Sequence, residues 1–427
     1  MNNKKTIFGA FLMLALLIMP FYPIWSEVAV ALLFVVGVCL KSQDAKIDFH
    51  NPVAILSGLI LMLFAVSAIS LTTSSDFFVG LKNLHTYIPF AVLPILYFLY
   101  DKYLTNNNLK LLKAVSAGVL LASAVCLILA VVRSFYLVNG HLVFNPYISY
   151  RNQFVYTYLS VFQYTNTFAM MAVFVVAVLV WVLMYGNEVK RKWLIYSSIG
   201  LCLLMVFLLS SRTNVYALFA VLYFSVFVFY FRFKRLIHSI LLFVAVTGLF
   251  WVFQTCNYRV MNLSQKVASY ITEEDIQMEN GYVIKHPEKV EDVNIRFQMW
   301  ETGLKIVRNN WMTGCGIGDY KSLLRSRYQS DGLTEAYEKC YDQHNQYIET
   351  IGTLGILGFA ILISIMAFAL YLSWKSRNYL LFCCLMILAL NMLLESMFNR
   401  YSGSLFFVVS LMLSAMAGQK NGKIPFC

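Results

Sequence analysis

YDQHNQYIETIGTLGILGF, residues 341–359, passes from a polar cluster to an apolar helix within a few positions. Asp342, Gln343, His344, Asn345 and Gln346 stand directly against an apolar run that continues to about residue 373. A run of that length is what a helix needs to cross a bilayer. A crossing needs one or two polar anchors at the water boundary, and five exceed that need. The apolar half therefore sets the fold class, and the polar half marks a place where something other than anchoring happens.

Working outward, the same apolar signal recurs along all 427 residues, of which 60% are hydrophobic and only 13% charged. Mean hydropathy is +0.68. Length alone would suggest two or three soluble domains, but this composition belongs to a polytopic membrane protein. About twelve spans are expected, near residues 7–24, 26–40, 53–71, 84–100, 111–133, 164–185, 193–210, 213–231, 236–254, 346–373, 378–397 and 403–418. The organisation is then spans one to nine over 1–254, one large external loop over 255–345, and spans ten to twelve over 346–427. The first run follows Lys4 and Lys5 but lacks a small-x-small cleavage pattern, so it is read as a retained span.

The net charge of +12 would suit nucleic acid only if it formed a basic stripe on a folded surface. Instead the Lys and Arg are parcelled among short inter-span loops, and nucleic acid is not an expected partner. With the N-terminus inside, the cytoplasmic segments hold 17 basic residues against Asp44, Asp48, Asp101 and Glu188. The 255–345 loop holds 11 basic and 13 acidic residues. Short positively charged loops stay on the cytoplasmic side. Both termini are accordingly expected in the cytoplasm and the long loop outside.

Within that loop, residues 258–293 are acidic and polar, and "NIRFQMWETGLKIVRNNW" (294–311) then changes the pattern. Ile295, Met299, Leu304, Val307 and Trp311 fall near one helical face, predicting an amphipathic helix on the bilayer surface with Asn294 as its N-cap. "TGCGIGDY" (313–320) ends it; no strand precedes these glycines, so they read as a tight turn and not a nucleotide loop. A second external segment, 134–163, is rich in Tyr and Phe. Such rings suit both the membrane interface, the preferred reading, and stacking on sugars. Cys256, Cys315 and Cys340 lie in the external loop, where one disulfide is allowed and three pairings are open.

A few charges escape the orientation rule. Arg212 sits in "LLSSRTNVYALF" between two apolar runs with almost no loop around it. An Arg forced to mid-bilayer costs about 2.5–3.5 kcal/mol unless it reaches water or an anion. Arg296 opens the amphipathic helix, His344 opens span ten, and Glu395 and Arg400 follow span eleven, close enough to pair with each other. All of them fall on the expected outer side. Guanidinium groups offer two-pronged hydrogen bonding to phosphate oxygens, and an imidazole can take a proton from a hydroxyl near neutrality. The set fits a diphosphate-linked substrate.

"SSRTNVYALF", then "IRFQMWETGLKIVRNNWMTGCGIGDY", then "HNQYIETIGTLGILGF" resembles the O-antigen ligase/polymerase family of bacterial envelope glycosyltransferases in order and spacing. That family carries a span-end S-R, an R-x-x-x-W with a G-x-G-x-G turn, and an H-N-x-x-[IL]-[EQ] leading into a glycine-bearing span. Met312 stands where the family commonly has Pro. The resemblance implies an all-α, GT-C-like architecture and an active site at the periplasmic face of the bacterial inner membrane. It implies an undecaprenyl-diphosphate-linked glycan as donor, and as acceptor a sugar hydroxyl of the lipid A core (ligase) or of another repeat unit (polymerase). Membrane lipids surround both. Carried over by position, Arg212 and Arg296 bind the donor diphosphate and stabilise the leaving charge, and His344 activates the acceptor hydroxyl, with inversion at the anomeric carbon. Asn345, Tyr347 and Arg400, at the same polar rim, join the substrate-binding set. That scheme needs no cofactor or metal, and Asp319 and Asp342 are isolated carboxylates. A transporter of lipid-linked glycan is the alternative from another class; it predicts broken helices in matched repeats, and Pro89 and Pro94 in span four find no counterpart.

Overall fold

A computed structural model describes residues 2–40, 50–138, 141–148, 151–186, 191–256 and 288–420. The acidic stretch 258–287 lies outside the described residues. The chain forms α1 (Asn2–Ile18), α2 (Pro23–Cys39), α3 (Pro52–Ile69), α4 (Phe77–Leu84), α5 (Ile88–Arg133), α6 (Thr165–Tyr185), α7 (Lys192–Leu209), α8 (Arg212–Phe233) and α9 (Leu236–Cys256). After the undescribed stretch come α10 (Glu288–Asn310), α11 (Tyr320–Ser330), α12 (Thr334–Glu338), α13 (Gln346–Lys375), α14 (Tyr379–Leu394) and α15 (Tyr401–Lys420). The starts follow from sequence. Asn51 caps α3 ahead of Pro52, Asp76 caps α4 and Asn378 caps α14, each side chain accepting a backbone N–H of the first turn.

Eight of the described helices are long and apolar enough to cross a membrane. This supports an all-α polytopic membrane protein. The expected twelve spans are amended in two ways. Spans four and five are the arms of one bent helix, α5, and spans one, two and eleven correspond to the shorter α1, α2 and α14, of 17, 17 and 16 residues. Straight, the 46 residues of α5 would reach about 69 Å at 1.5 Å per residue. Yet both its ends lie on the same side of the bundle: Thr86, just before it, donates to the Phe398 carbonyl at 2.7 Å, and Arg133 reaches the Tyr158 carbonyl at 3.4 Å. The reversal is at Tyr100, whose φ of −135° is the non-helical point. Its hydroxyl donates to Gly37 O at 2.8 Å and its ring stacks on Phe8 at 3.8 Å, which pins the bend at the opposite end. Residues 101–110 hold neither Gly nor Pro, so they continue as helix where a loop was expected.

The interior is formed by α6 and α15, which are buried over most of their length, as expected for helices apolar all round. The all-α expectation needs one further amendment. Between α5 and α6, β1 (Phe135–Val138) pairs antiparallel with β2 (His141–Phe144), and β3 (Tyr147–Ile148) pairs with β4 (Arg151–Asn152).

Residues 288–345 sit on one end of the bundle, called here the loop end. They have a core of their own, in which Ile295, Met299 and Ile306 of α10 meet Tyr320, Leu324 and Tyr328 of α11 and Ala336 of α12. This amends the face assigned to the helix. Ile295, Met299 and Val307 are buried against protein, whereas Leu304 and Trp311, assigned to the same face, are exposed with Phe297 and Met312. The helix also starts at Glu288, so Asn294 is internal and not its N-cap.

The glycine turn explains how this layer is fastened. α13 breaks at Gly355, with φ 68° and ψ −168°. The break frees backbone groups that a helix in an apolar medium cannot leave unmet. The turn supplies them: Cys315 N–H donates to Gly352 O at 2.8 Å, Gly316 N–H to Thr353 O at 3.0 Å, and Ile356 N–H to Trp311 O at 2.8 Å. Gly314 and Gly316 have φ of 73° and 85°, and a Cβ on Gly314 would run into the Thr353 carbonyl. Asp319, one of the isolated carboxylates, accepts from Ser75 N–H at 2.6 Å and Asp76 N–H at 3.2 Å and ties the turn to the start of α4. Burial pushes that carboxyl up, but the two N–H donors outweigh it and hold its pKa below the usual range. Cys256, Cys315 and Cys340 are free thiols.

Candidate functional site

Three helices begin at the loop end within reach of one another: α6 at Thr165, α8 at Arg212 and α13 at Gln346. Two adjoining cavities open there. The larger, about 500 Å³, is walled by Tyr156, Thr157, 160–166, Pro23, Arg296, His344, Glu395 and Arg400. The smaller, about 250 Å³, is walled by Tyr156, Asn166, 210–213, Ile295, Arg296, Met299, Tyr341, His344 and Glu395. Tyr156, Asn166, Arg296, His344 and Glu395 line both, so the cavities share one wall.

The smaller cavity brings Arg212, Arg296 and His344 together from three distant parts of the chain. Arg212 is the first residue of α8, which starts at once because α7 ends on Ser210 in the left-handed region, with φ 51°. Beneath it lies a polar network. Asn214 Nδ2 donates to Asn166 Oδ1 at 2.6 Å and to the Asn166 carbonyl at 3.0 Å, and Asn391 Nδ2 donates to Asn214 Oδ1 at 3.0 Å. These bonds fix the starts of α6 and α8 against α14. Ser211 and Tyr164, the N-cap residues of α8 and α6, provide no side-chain cap. Both helix starts therefore aim first-turn N–H groups and a positive dipole end at the cavities, an arrangement suited to an anion.

His344 is held from several directions. Its backbone has φ 48°, a left-handed conformation uncommon for a residue with a Cβ. Trp300 Nε1 donates to its carbonyl at 3.4 Å, and the Tyr341 ring stands edge-on 5.9 Å away. Its neighbour Gln343 is fully buried, donating to Met299 O at 2.7 Å and accepting from the Tyr320 hydroxyl at 3.1 Å. Tyr156 and Ser210, also cavity-lining, share the positive φ. Strained backbone thus gathers at this site, where surrounding contacts hold it.

Glu395 completes the shared wall. Its Oε2 lies 3.1 Å from His344 Nδ1 and its Oε1 3.7 Å from Arg296 Nη2. The expected pairing with Arg400 is replaced by these two contacts. Arg400 sits instead over the Tyr164 ring at 4.0 Å, on the wall of the larger cavity. Burial pushes the Glu395 carboxyl up, but the His344 hydrogen bond and the charges of Arg296 and Arg400 together hold it below the usual carboxylate range. It is an anion at neutral pH.

Two of the expected substrate contacts lie away from both cavities. Asn345 lines neither cavity; it is buried, and its Oδ1 accepts from Tyr347 N–H at 3.0 Å and Ile348 N–H at 3.1 Å as the N-cap of α13. Tyr347 also lines neither cavity and packs against the bundle core. Conversely, Tyr156, Gln163, Tyr164 and Asn166 line the larger cavity. The aromatic segment 134–163 is therefore part cavity wall, beyond the interface role preferred for it.

An all-α polytopic membrane protein with a cationic, imidazole-bearing chamber at one end of its bundle is the class that this fold and site define. Residues 197–363 match the family model Wzy_C, O-antigen ligase, and over that segment the chain is similar to that family. No curated protein matches the chain. The matched segment contains Arg212, Arg296 and His344; the 156–166 wall, Glu395 and Arg400 lie outside it.

Proposed function

We propose that the protein is an O-antigen ligase: it transfers a glycan from undecaprenyl diphosphate to a sugar hydroxyl of the lipid A core at the periplasmic face of the inner membrane. The observation that carries this reading is the common cavity of Arg212, Arg296 and His344. The smaller cavity takes the donor diphosphate between Arg212, Arg296 and the start of α8. The larger takes the acceptor sugar against Tyr164, Gln163 and Arg400. His344 on the shared wall faces both. The acceptor hydroxyl gives its proton to the imidazole Nε2 as its oxygen bonds to the anomeric carbon. The bond from that carbon to the diphosphate breaks with its electron pair on the phosphate oxygen, where the guanidinium groups receive the charge, and the configuration inverts. The chain makes twelve crossings in a GT-C-like arrangement, with both α5 arms counted. The basic short loops support cytoplasmic termini and a periplasmic site.

Deleting the gene and analysing the surface glycan tests the reading. Loss of polymer from lipid A, with full-length polymer left on the lipid carrier, is expected. Single repeat units on the lipid A core would instead indicate a repeat-unit polymerase, a second reading favoured by the wall that 156–164 adds to the acceptor cavity. An unchanged profile would remove both.

Asn345→Ala should act on stability and not on chemistry. Losing an N-cap costs about 1 kcal/mol. Melting of the purified protein should fall, with transfer within a few-fold of wild type. A hundredfold loss of transfer at unchanged melting would return Asn345 to the substrate contacts.

A further inference from the structure

We propose that α4 and the residues opening the glycine turn form an in-plane membrane anchor. Phe77, Phe78 and Leu81 at one end of the turn, and Trp311 and Met312 at the other, lie among the acyl chains of the leaflet at the loop end.

The depth of the turn is the first ground. Its N–H groups meet the carbonyls of Gly352 and Thr353, beside α13 and not above it. At 1.5 Å per residue, Thr353 lies about 10 Å along α13 from Gln346, toward the interior of the bundle. The turn therefore sits below the level at which α13 begins. Just past that point the outward residues of α13, Ile356 and Leu357, are exposed, as a membrane-crossing helix requires of its lipid flank. Ile356 N–H donates to the Trp311 carbonyl at 2.8 Å, so Trp311 and Met312 abut this flank. Both are exposed, Met312 by 64%.

The far end of the turn holds α4. Asn83 Nδ2 donates to Ile317 O at 2.8 Å, and Gly318 N–H donates to Ser74 Oγ at 2.9 Å. A Cβ on Gly318 would run into the Asp76 carbonyl, so the approach is close. Eight residues are too few to hold a helix unaided; the turn and the Asp76 cap hold this one. At about 100° per residue, Gly80, Asn83 and Leu84 face the protein, while Phe77, Phe78 and Leu81 share the outward arc. Phe78 is 81% exposed, its ring edge-on to Phe77 at 6.0 Å. Lys82, also exposed, borders that arc, from which its ammonium can reach lipid phosphates. An exposed apolar surface rimmed by a charge marks an interaction site. Its continuity with the lipid flank of α13 selects lipid over a protein partner. The turn belongs to the 288–345 layer, so the anchor sets the height of that layer on the bilayer. On the ligase reading this brings Arg296 and His344 level with a lipid-linked diphosphate; the anchor itself does not depend on that reading.

The experiment uses the full-length protein in phosphatidylcholine nanodiscs, with Ser at Cys39, Cys256, Cys315, Cys340 and Cys427. A nitroxide is placed at Phe78→Cys or Met312→Cys, and its collisions with oxygen and with a water-soluble nickel chelate are read by spin resonance. Leu357→Cys, on the lipid flank of α13, and Glu301→Cys, at an exposed charged position of α10, give the two reference states. Phe78→Cys and Met312→Cys are expected to favour oxygen over nickel several-fold, as Leu357→Cys does, with Glu301→Cys reversed. If Phe78→Cys does not insert, Leu81→Cys takes its place. A nickel preference at either end of the turn overturns the proposal. A label shielded from both reagents, or broadened by a second label, would put protein on this face, another segment or a second copy, and overturns it equally. Transfer is not read at any step, so the outcome is separate from that of the ligase reading.

Discussion

His344→Ala is expected to abolish glycan transfer while the protein still inserts and folds. A positioned base contributes about 10²–10⁴-fold, and here the imidazole is the group that the shared wall presents to both cavities. The substitution removes the Glu395 contact and the edge-on contact with Tyr341, both partly exposed, and leaves the surrounding bonds in place. Trp300 still reaches the residue 344 carbonyl, and Gln343 keeps its bonds to Met299 and Tyr320. The site should thus survive in shape without its proton acceptor. Glycan-bearing lipid A, resolved by gel from the complemented deletion strain, is the readout, with membrane-fraction abundance as the control. A wild-type ladder from this variant would end the assignment. His344→Gly sharpens the point: glycine accepts φ 48° without strain, so it should be at least as stable as the Ala variant and equally inactive.

Much of this site was legible because a charge next to an apolar run is anomalous, and Arg212, Arg296 and His344 each break a pattern that the rest of the chain keeps. Glu395 was visible as an oddity but assigned to the wrong partner. Sequence proximity pointed to Arg400, whereas the antiparallel return of α14 brings Glu395 beside the start of α13, 51 residues back along the chain. Asn166 gave no signal, and Tyr156 gave one only as a ring of the aromatic segment 134–163. An amide in the first turn of an apolar helix looks like any polar helix start, and its role depends on Ser211, Asn214 and Asn391, which only the fold brings near. Asn345 misled in the opposite sense: flanked by His344, it looked chemical, while an Asn directly before a helix is a strong capping signal.

The fold divides in the same way. Where composition decides, as in the long apolar helices, expectation and structure agree. Where a single residue decides, they part. Tyr100 turns α5 by a hydroxyl contact to Gly37 and a ring stack on Phe8, neither of which a local pattern contains. The alternating glycines at 314, 316 and 318 signalled a turn correctly, but the need for it comes from Gly355, about 40 residues later, whose break in α13 leaves carbonyls for the turn to satisfy.

Arg212→Ala and Arg296→Ala should each slow transfer by about 10²–10³-fold, since one preorganised cation at a developing oxyanion is worth about 3–4 kcal/mol in a water-poor site. The two should differ in binding. Arg212 stands at the start of α8, where the uncapped first turn adds its own N–H groups and dipole to any bound phosphate. Its loss should therefore weaken undecaprenyl diphosphate binding as well as turnover. Arg296 has a second partner in Glu395, so removing it also frees that carboxylate to sit nearer the diphosphate, and like charges repel. Arg296→Ala should consequently be the more damaging for binding, and adding Glu395→Gln should return part of the lost affinity, though not the rate. Lysine at either position keeps the charge without the planar two-pronged geometry and should recover only a fraction of the loss. Titration of the purified variants with undecaprenyl diphosphate, beside their transfer rates, separates these outcomes. Wild-type affinity and rate in Arg212→Ala would show that the smaller cavity does not hold the donor.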